Sequence, residues 1–514
     1  MSFASLPFVG LVAAGVILYY LVPKKLQWVV LLLASMVFYL AGGVKSAVWL
    51  VLVAAVTWLT GLLLARQNAR PAPDKQTKAA VRRVKKRICA VCAVLCFGLL
   101  YLMKYWNFTA SALPSALGDK LPRWDFVVPM GLSYFIFQAV GYVIDVYRGK
   151  TDAQKNPLRY GLFVSFFPQM VQGPISRYDQ LAPQLTAERR LDWRDLKFGI
   201  QLCLWGYFKK LVIADRAAVL VNAVIKDNCP YGGAVIASGI LFYCIQLYCD
   251  FSGGIDITRG VARLFGIDMA ENFRRPIFAT SLTDYWRRWH ITLGAWMRDY
   301  VFYPFALCKP VARLSKGAKK VFGASFARAL PAALGNLLVF LLVGVWHGAT
   351  SNYILWGLYN GVILAFTALM EPTYKRMNES LPRLTSSKGF HVFRVLRTFV
   401  IVNIGWFFDR CAHAADAFGM LETVVSRPNL AQLSMETLQK LGISAVDARV
   451  LAAGILLLFA VSLAEENGKD VRGWLVARAL PIRWAILMAG VLAVLLMGVW
   501  GSGFSEASFI YFNF

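Results

Sequence analysis

Apolar residues in this chain fall into long runs cut by short basic or Gly-rich segments. Phe8 to Val22, Leu26 to Leu40 and Val48 to Leu64 come first, separated by Lys24-Lys25 and by Gly42-Gly43. Ile88 to Tyr105, Val127 to Val146, Ala234 to Phe251, Phe399 to Phe408, Val450 to Leu463 and Trp484 to Trp500 continue the pattern. One bilayer crossing takes about 20 apolar residues. Leu334 to Met370 is too long for one helix and is interrupted at Trp346-His347-Gly348-Ala349-Thr350-Ser351-Asn352, so two helices meet there. Together the runs predict an all-α polytopic membrane protein with about eleven transmembrane helices.

The break in the central pair has a chemical meaning. At a rise of about 1.5 Å per residue, Leu334 to Trp346 carries the chain roughly 20 Å into a hydrocarbon core about 30 Å thick. His347 then sits at membrane depth, where an ionisable group is costly unless it faces a cavity or a partner, so it marks a functional site. The plain alternative is an imidazole bonded to a backbone carbonyl, closing a polar break that Gly348, Thr350 and Asn352 also suit.

Three segments depart from simple spans. Between Arg159 and Tyr178, Pro168, Gly173 and Pro174 enter an apolar run and predict a re-entrant element, tolerated only where buried in protein or lining a cavity. Leu196 to Val224 is interrupted by Lys209, Lys210, Asp215 and Arg216, which predicts that part of it lies at the interface. From Ser281 to Phe305, Trp286, Trp289, His290, Leu293, Trp296, Met297 and Tyr300 recur at helical spacing opposite Arg287, Arg288, Arg298 and Asp299. That predicts one amphipathic interfacial helix.

Composition supports the membrane reading: 58% hydrophobic residues and a mean hydropathy of +0.54 exclude ordinary globular composition. The net charge of +27 lies in segments between the runs, an orientation signal more than a nucleic-acid footprint. Arg66 to Arg87 holds Arg66, Arg70, Lys75, Lys78, Arg82, Arg83, Lys85, Lys86 and Arg87 against Asp74 alone, so it should be cytoplasmic. Counting crossings from there places both termini outside, and the first run, without a basic n-region or cleavage site, reads as a retained helix. Lys309 to Arg328, Glu371 to Arg394 and Glu465 to Arg483 read as inside, and Arg410 to Asp447 as an external loop. Of the nine cysteines, Cys89, Cys92 and Cys96 share one apolar helix face with no second ligand pair, so no metal site is expected.

Of four histidines, His391 and His413 sit in polar segments and read as solvated. His347 and His290 sit among aromatic residues. A neutral imidazole in apolar surroundings is a usable general base, because desolvation disfavours its cation. His290 can equally be an interfacial anchor. Asp250 and Asp256 can pair with Arg259 or Arg263, and Gly253-Gly254 lacks the strand and helix of a phosphate-binding loop.

The residues also carry a resemblance. Phe166-Phe167-Pro168-Gln169 with Gly173-Pro174, Asp250-Phe251-Ser252-Gly253, Glu271-Asn272-Phe273, Tyr285-Trp286-Arg287-Arg288-Trp289-His290 and Trp346-His347-Gly348 resemble, in that order, motifs of the membrane-bound O-acyltransferase family, nearest to its alginate O-acetyltransferase branch. The resemblance implies one integral membrane domain over residues 1–514, with re-entrant and interfacial helices around a central funnel in the plasma membrane. It implies that His347 is catalytic and His290 assists. It further implies a thioester donor (acetyl-CoA or an acyl carrier protein) used as substrate on the cytoplasmic side, with no bound cofactor. The expected partners are an external lipase-like esterase or transferase and a cell-wall or secreted polysaccharide. Residues 501–514 follow the last crossing, and their Phe509, Tyr511 and Phe514 resemble an acyl-accepting tail in which Tyr511 carries the acyl group and the phenylalanines seat it. Interfacial anchoring explains those aromatics too. The alternatives are D-alanyl transfer to teichoic acid and, in another class, a polytopic transporter or scaffold.

Overall fold

The computed structural model describes residues 2–124, 126, 128–170, 172–226 and 229–499. Nine of the ten apolar runs each form one helix, and Leu334 to Met370 forms two, so that eleven helices result. Eight helices among the described residues are long and apolar enough to cross a membrane, including Val44–Asn68, Gly233–Leu264, Lys388–Arg410 and Ala445–Glu466. The other three runs give Leu6–Leu21, Gln27–Leu40 and Leu132–Arg148, of 16, 14 and 17 residues. The segments read as charged connections hold helices too, Glu371–Ser380 and Val471–Val476 among them. Asp74 caps Lys75–Lys104 by accepting from the Thr77 backbone N–H at 2.7 Å, so that helix starts within the basic segment. Lys309–His347 likewise runs from basic residues into apolar ones, kinked at Gly323, whose φ is 83°.

The described residues divide into two compact units, one of Met1–Cys203 with Gly254–Ala270, the other of Leu204–Gly253 with the chain from Glu271 onward. In the first, Leu132–Arg148 is buried on nearly every face. The Pro-rich stretch after it is broken: helix Pro157–Ser165, a 3-10 turn at Phe167–Gln169, then extended backbone. Its backbone groups are met by side chains, as a buried break requires. Gln138 and Gln169 both donate to the Phe163 carbonyl, at 2.7 and 3.0 Å, and Ser35 accepts from the Phe167 N–H at 3.1 Å.

In the second unit the helices Lys309–His347 and Ser351–Leu369 form an antiparallel hairpin. They touch backbone to backbone. A Cβ added at Gly357 would lie 2.5 Å from the Phe340 carbonyl oxygen, and one at Gly344 would lie 3.0 Å from the Gly357 Cα. Small residues are what allow helices to approach this closely in a membrane, where no water is expelled to drive them together.

In residues 193–224 the interrupting charges are held inside the protein. The helix runs on through a π-helical turn, Phe208–Ala214, and Lys209, Lys210, Asp215 and Arg216 are all buried. Lys210 Nζ lies 2.5 Å from Asp250 and 2.8 Å from Asp215. Lys210 and Asp215 are five apart, about 140° around an ordinary α-helix, and meet because the wider turn brings i and i+5 into line. Asp250 therefore pairs with Lys210 and not with Arg259 or Arg263, while Arg263 bonds Asp195 at 2.8 Å. Lys209 donates to Ser252 at 2.9 Å. Buried ions of this kind stabilise only when each charge has a well-placed partner.

The stretch read as a loop from Arg410 to Asp447 also holds helices, Ala414–Ser426 and Met435–Lys440. Its Arg427 and Pro428 carbonyls accept from the Gly233 and Ala234 N–H groups at 2.8 and 2.6 Å, meeting donors that the start of Gly233–Leu264 leaves open.

Candidate active site

His347 is the last residue of the first hairpin helix. The chain then turns through extended Gly348 and restarts at Ser351. A side chain at position 348 would collide with the Tyr353 ring, and its absence lets that ring stack on His347, centroids 5.9 Å apart and 25° between planes. Trp346 and Trp356 close the imidazole in from two further sides at 5.0 and 4.9 Å. Only 6% of His347 is exposed.

His290 is positioned differently, and here the expected single helix from Ser281 to Phe305 does not form. Leu282–Arg288 stops at Trp289, which is extended and makes an isolated antiparallel bridge with Phe273. Arg274 N–H bonds the Arg288 carbonyl at 2.8 Å, and Ile291 N–H bonds the Asn272 carbonyl at 3.0 Å. Between those bonds His290 takes the left-handed conformation, φ 47° and ψ 53°, and then caps a second short helix, Ile291–Met297. A non-glycine residue held there stores roughly 1–3 kcal/mol of strain, which persists only where the surroundings fix it.

Asn272 fixes the ring as well as the backbone. Its side-chain oxygen accepts from the Thr292 backbone N–H at 3.0 Å and from the Thr292 hydroxyl at 2.9 Å. A backbone N–H can only donate, so the amide orientation is set. The same oxygen lies 3.2 Å from His290 Nδ1, which must then carry the proton. The neutral imidazole keeps its lone pair on Nε2.

The two histidines edge the same indole: Trp346 lies 6.1 Å from the His290 ring and 5.0 Å from the His347 ring. Phe251, next to the ion-paired Asp250, also packs on His290 at 4.9 Å. Trp289, Trp356 and Trp406 extend the cluster, with Trp406 at 5.6 Å from Trp289 and 6.3 Å from Trp356. The structure thus brings together His290, His347 and four of the quoted motifs in one unit. The motif at Phe166 belongs to the other unit. His391 and His413 are exposed. Tyr511, Phe509 and Phe514 lie outside the described residues.

Two further polar residues contribute, of which Asp409 escaped the sequence reading and Asn352 was placed only in the polar break. Asp409 is buried at the end of Lys388–Arg410 and accepts from the Tyr243 hydroxyl at 2.5 Å, and Tyr243 packs on Trp406 at 6.3 Å. An acid closing an apolar run was the available signal. Asn352 donates to the Cys411 carbonyl, tying the start of the second hairpin helix to the end of Lys388–Arg410. Among the described residues no group of three or more His, Cys, Asp or Glu side chains is arranged to hold a metal ion.

A buried pair of imidazoles on separate elements, one with its tautomer set, suits proton transfer to and from a hydroxyl. Comparison with known proteins bears on which reaction that is. Residues 31–395 match the model of the membrane-bound O-acyltransferase family. The chain is 32% identical to a probable alginate O-acetylase of Pseudomonas aeruginosa, over 82% of this chain and 76% of that protein. It is 25% identical to a peptidoglycan O-acetyltransferase of Helicobacter pylori, over 81% and 80% of the two. Against a teichoic acid D-alanyltransferase of Bacillus subtilis it is 28% identical over 60% of this chain and 74% of that one.

Proposed function

The chain belongs to the membrane-bound O-acyltransferase family and is an O-acyltransferase, and we propose that it moves an acetyl group from a cytoplasmic thioester across the membrane for O-acetylation of a cell-wall or secreted polysaccharide. Acetyl is favoured over D-alanyl because the similarity to proteins named for O-acetyl transfer extends over more of this chain. The observation that carries the reading is the shared indole: two buried histidines on different elements, both against Trp346.

In the proposed reaction, His347 is the general base. A hydroxyl oxygen attacks the thioester carbonyl carbon while its proton passes to the His347 imidazole. The tetrahedral intermediate collapses with cleavage of the C–S bond, and the thiolate recovers the proton from the imidazolium. Products are an ester and a free thiol. His290, with Nδ1 held by Asn272, presents Nε2 as a second proton acceptor. The first acceptor is the phenol of Tyr511, which then hands the acetyl group to an external lipase-like transferase acting on the polymer. Splitting one transfer into two through a covalent carrier lowers each barrier.

Asn272→Ala is expected to slow transfer about ten- to hundredfold, since losing a buried hydrogen bond costs ~1–3 kcal/mol. The fall should lie in kcat, with KM for the donor unchanged, and nitrogen NMR should show His290 losing its single tautomer. An unchanged kcat would remove His290 from the chemistry.

The reaction itself is tested with purified full-length protein and acetyl-CoA or an acetylated carrier protein, following free thiol. Thiol release above the buffer rate, together with O-acetyl groups on the polymer of cells that carry the gene, supports the reading. Polymer lacking O-acetyl in those cells, or loss of solute flux when the gene is removed, would turn it toward a transporter.

A further inference from the structure

Beside the histidine cluster, within the second unit, lies a cavity of about 290 Å³ walled on one side by Tyr285 and Trp289, whose rings stack 5.6 Å apart. That volume is at the lower end of ligand sites, which start near 300 Å³. It holds part of one hydrocarbon chain and not a whole lipid. The lining is almost wholly apolar, with Ile245, Val402 and Leu458 among it. Leu241 and Phe459, at its edge on helices long enough to span a membrane, are 42% and 43% exposed. The mouth therefore opens where hydrocarbon surrounds the protein.

The polar lining side chains include Thr398 and Ser462. Beyond them, by one helical turn, come Arg394 and Glu466. Four arginines gather here, and they differ in one respect. Arg275 and Arg288 each bond Glu466 at 2.8 Å, and Arg288 also bonds Asp284 at 3.0 Å. Arg394 and Arg397 make no ion pair among the described residues. They bracket Thr280 instead, donating to its hydroxyl at 3.1 Å and to its carbonyl at 3.0 Å. Thr280 follows Ala279, which lines the cavity. Two unneutralised guanidiniums thus stand at one end of an apolar slot, at the level that the distribution of Lys and Arg assigns to the cytoplasmic leaflet.

We propose that this slot binds one acyl chain of an anionic glycerophospholipid from that leaflet, with the lipid phosphate on Arg394 and Arg397. The inference does not rest on the proposed reaction. A chain gains little on leaving the bilayer for an equally apolar slot, so selection falls to the headgroup. Guanidiniums suit it, because their planar fork matches phosphate oxygens and is only weakly hydrated. The bound chain would fill the space against Trp289, the residue whose extended backbone precedes His290.

The test is native mass spectrometry of the full-length protein in detergent, titrated separately with phosphatidylglycerol, phosphatidylcholine and inorganic phosphate. One phosphatidylglycerol per chain is expected, bound well ahead of phosphatidylcholine and not displaced by millimolar phosphate. Each lost charge near a membrane surface weakens anionic-lipid binding about fivefold, so Arg394→Gln with Arg397→Gln should weaken it about 25-fold. Arg397 is exposed and Arg394 half-buried, and neither is in an ion pair among the described residues, so this variant should fold. Val402→Trp fills the slot and should abolish one-to-one retention. Equal binding of both lipids, displacement by phosphate alone, or undiminished binding in the double variant would overturn the proposal.

Discussion

His347→Ala should leave a folded, membrane-inserted protein whose acyl transfer is slower by about a hundred- to ten-thousandfold, the usual contribution of a positioned general base. The imidazole is enclosed by Trp346, Tyr353 and Trp356, so bulk water has no easy route to take its place. Truncation also leaves a void among those rings, and a fall in activity could then come from their collapse. His347→Gln separates the two causes, because it keeps most of the volume and a polar end but cannot take up a proton. Both variants should lose transfer alike, with the melting temperature of the detergent-solubilised protein unchanged for His347→Gln and lowered, if at all, only for His347→Ala. Thiol release near the wild-type rate in either variant would take His347 out of the base role and leave it as a packed polar break between two helices.

Tyr511→Phe is expected to abolish polymer acetylation while protein level, membrane insertion and donor binding stay as in the wild type. Phenylalanine keeps the ring that would seat the tail and lacks only the hydroxyl, so the substitution isolates the nucleophile. In the proposed step the phenolic oxygen attacks the thioester, its proton goes to His347, and the thiol leaves, which places an aryl ester on Tyr511. Peptide mass spectrometry of the native C-terminus should find an acetyl adduct there, removed by mild base. Full acetylation of the polymer by the Tyr511→Phe protein would overturn the carrier and leave Phe509, Tyr511 and Phe514 as an anchor.

The membrane helices were legible because a span needs a long apolar run, and little else in a sequence looks like one. The break at His347 was legible for the converse reason: polar residues inside Leu334 to Met370 have no place in a continuous span. The turn at His290 was not. Trp286, Trp289, His290 and Leu293 satisfy helical spacing, and only the bridge from Trp289 to Phe273, with Asn272 behind it, breaks the helix. Those partners lie 16 or more residues upstream, beyond any local pattern. The partner of Asp250 was misassigned on similar grounds. Arg259 and Arg263 are its neighbours in sequence, whereas Lys210 is 40 residues away and reaches it from a turn that periodicity does not reveal. Asp409 was passed over because one acid at the end of an apolar run looks like the run's boundary.

The π-helical turn at Phe208–Ala214 also bears on how the length of this chain can vary. A wide turn accommodates one residue more than the α-helical path on either side of it needs, and the flanking turns keep their facing. Losing one residue between Lys210 and Asp215 would convert i and i+5 into i and i+4, which an ordinary α-helix already sets on one face. The pair could therefore survive, and Arg216 would still face Asp447, which it bonds at 2.9 Å. Elsewhere in a helix a single deletion rotates everything beyond it by about 100°. In this segment a deletion of one residue would be absorbed locally, so a homologous chain one residue shorter here would keep the register of the helices that follow.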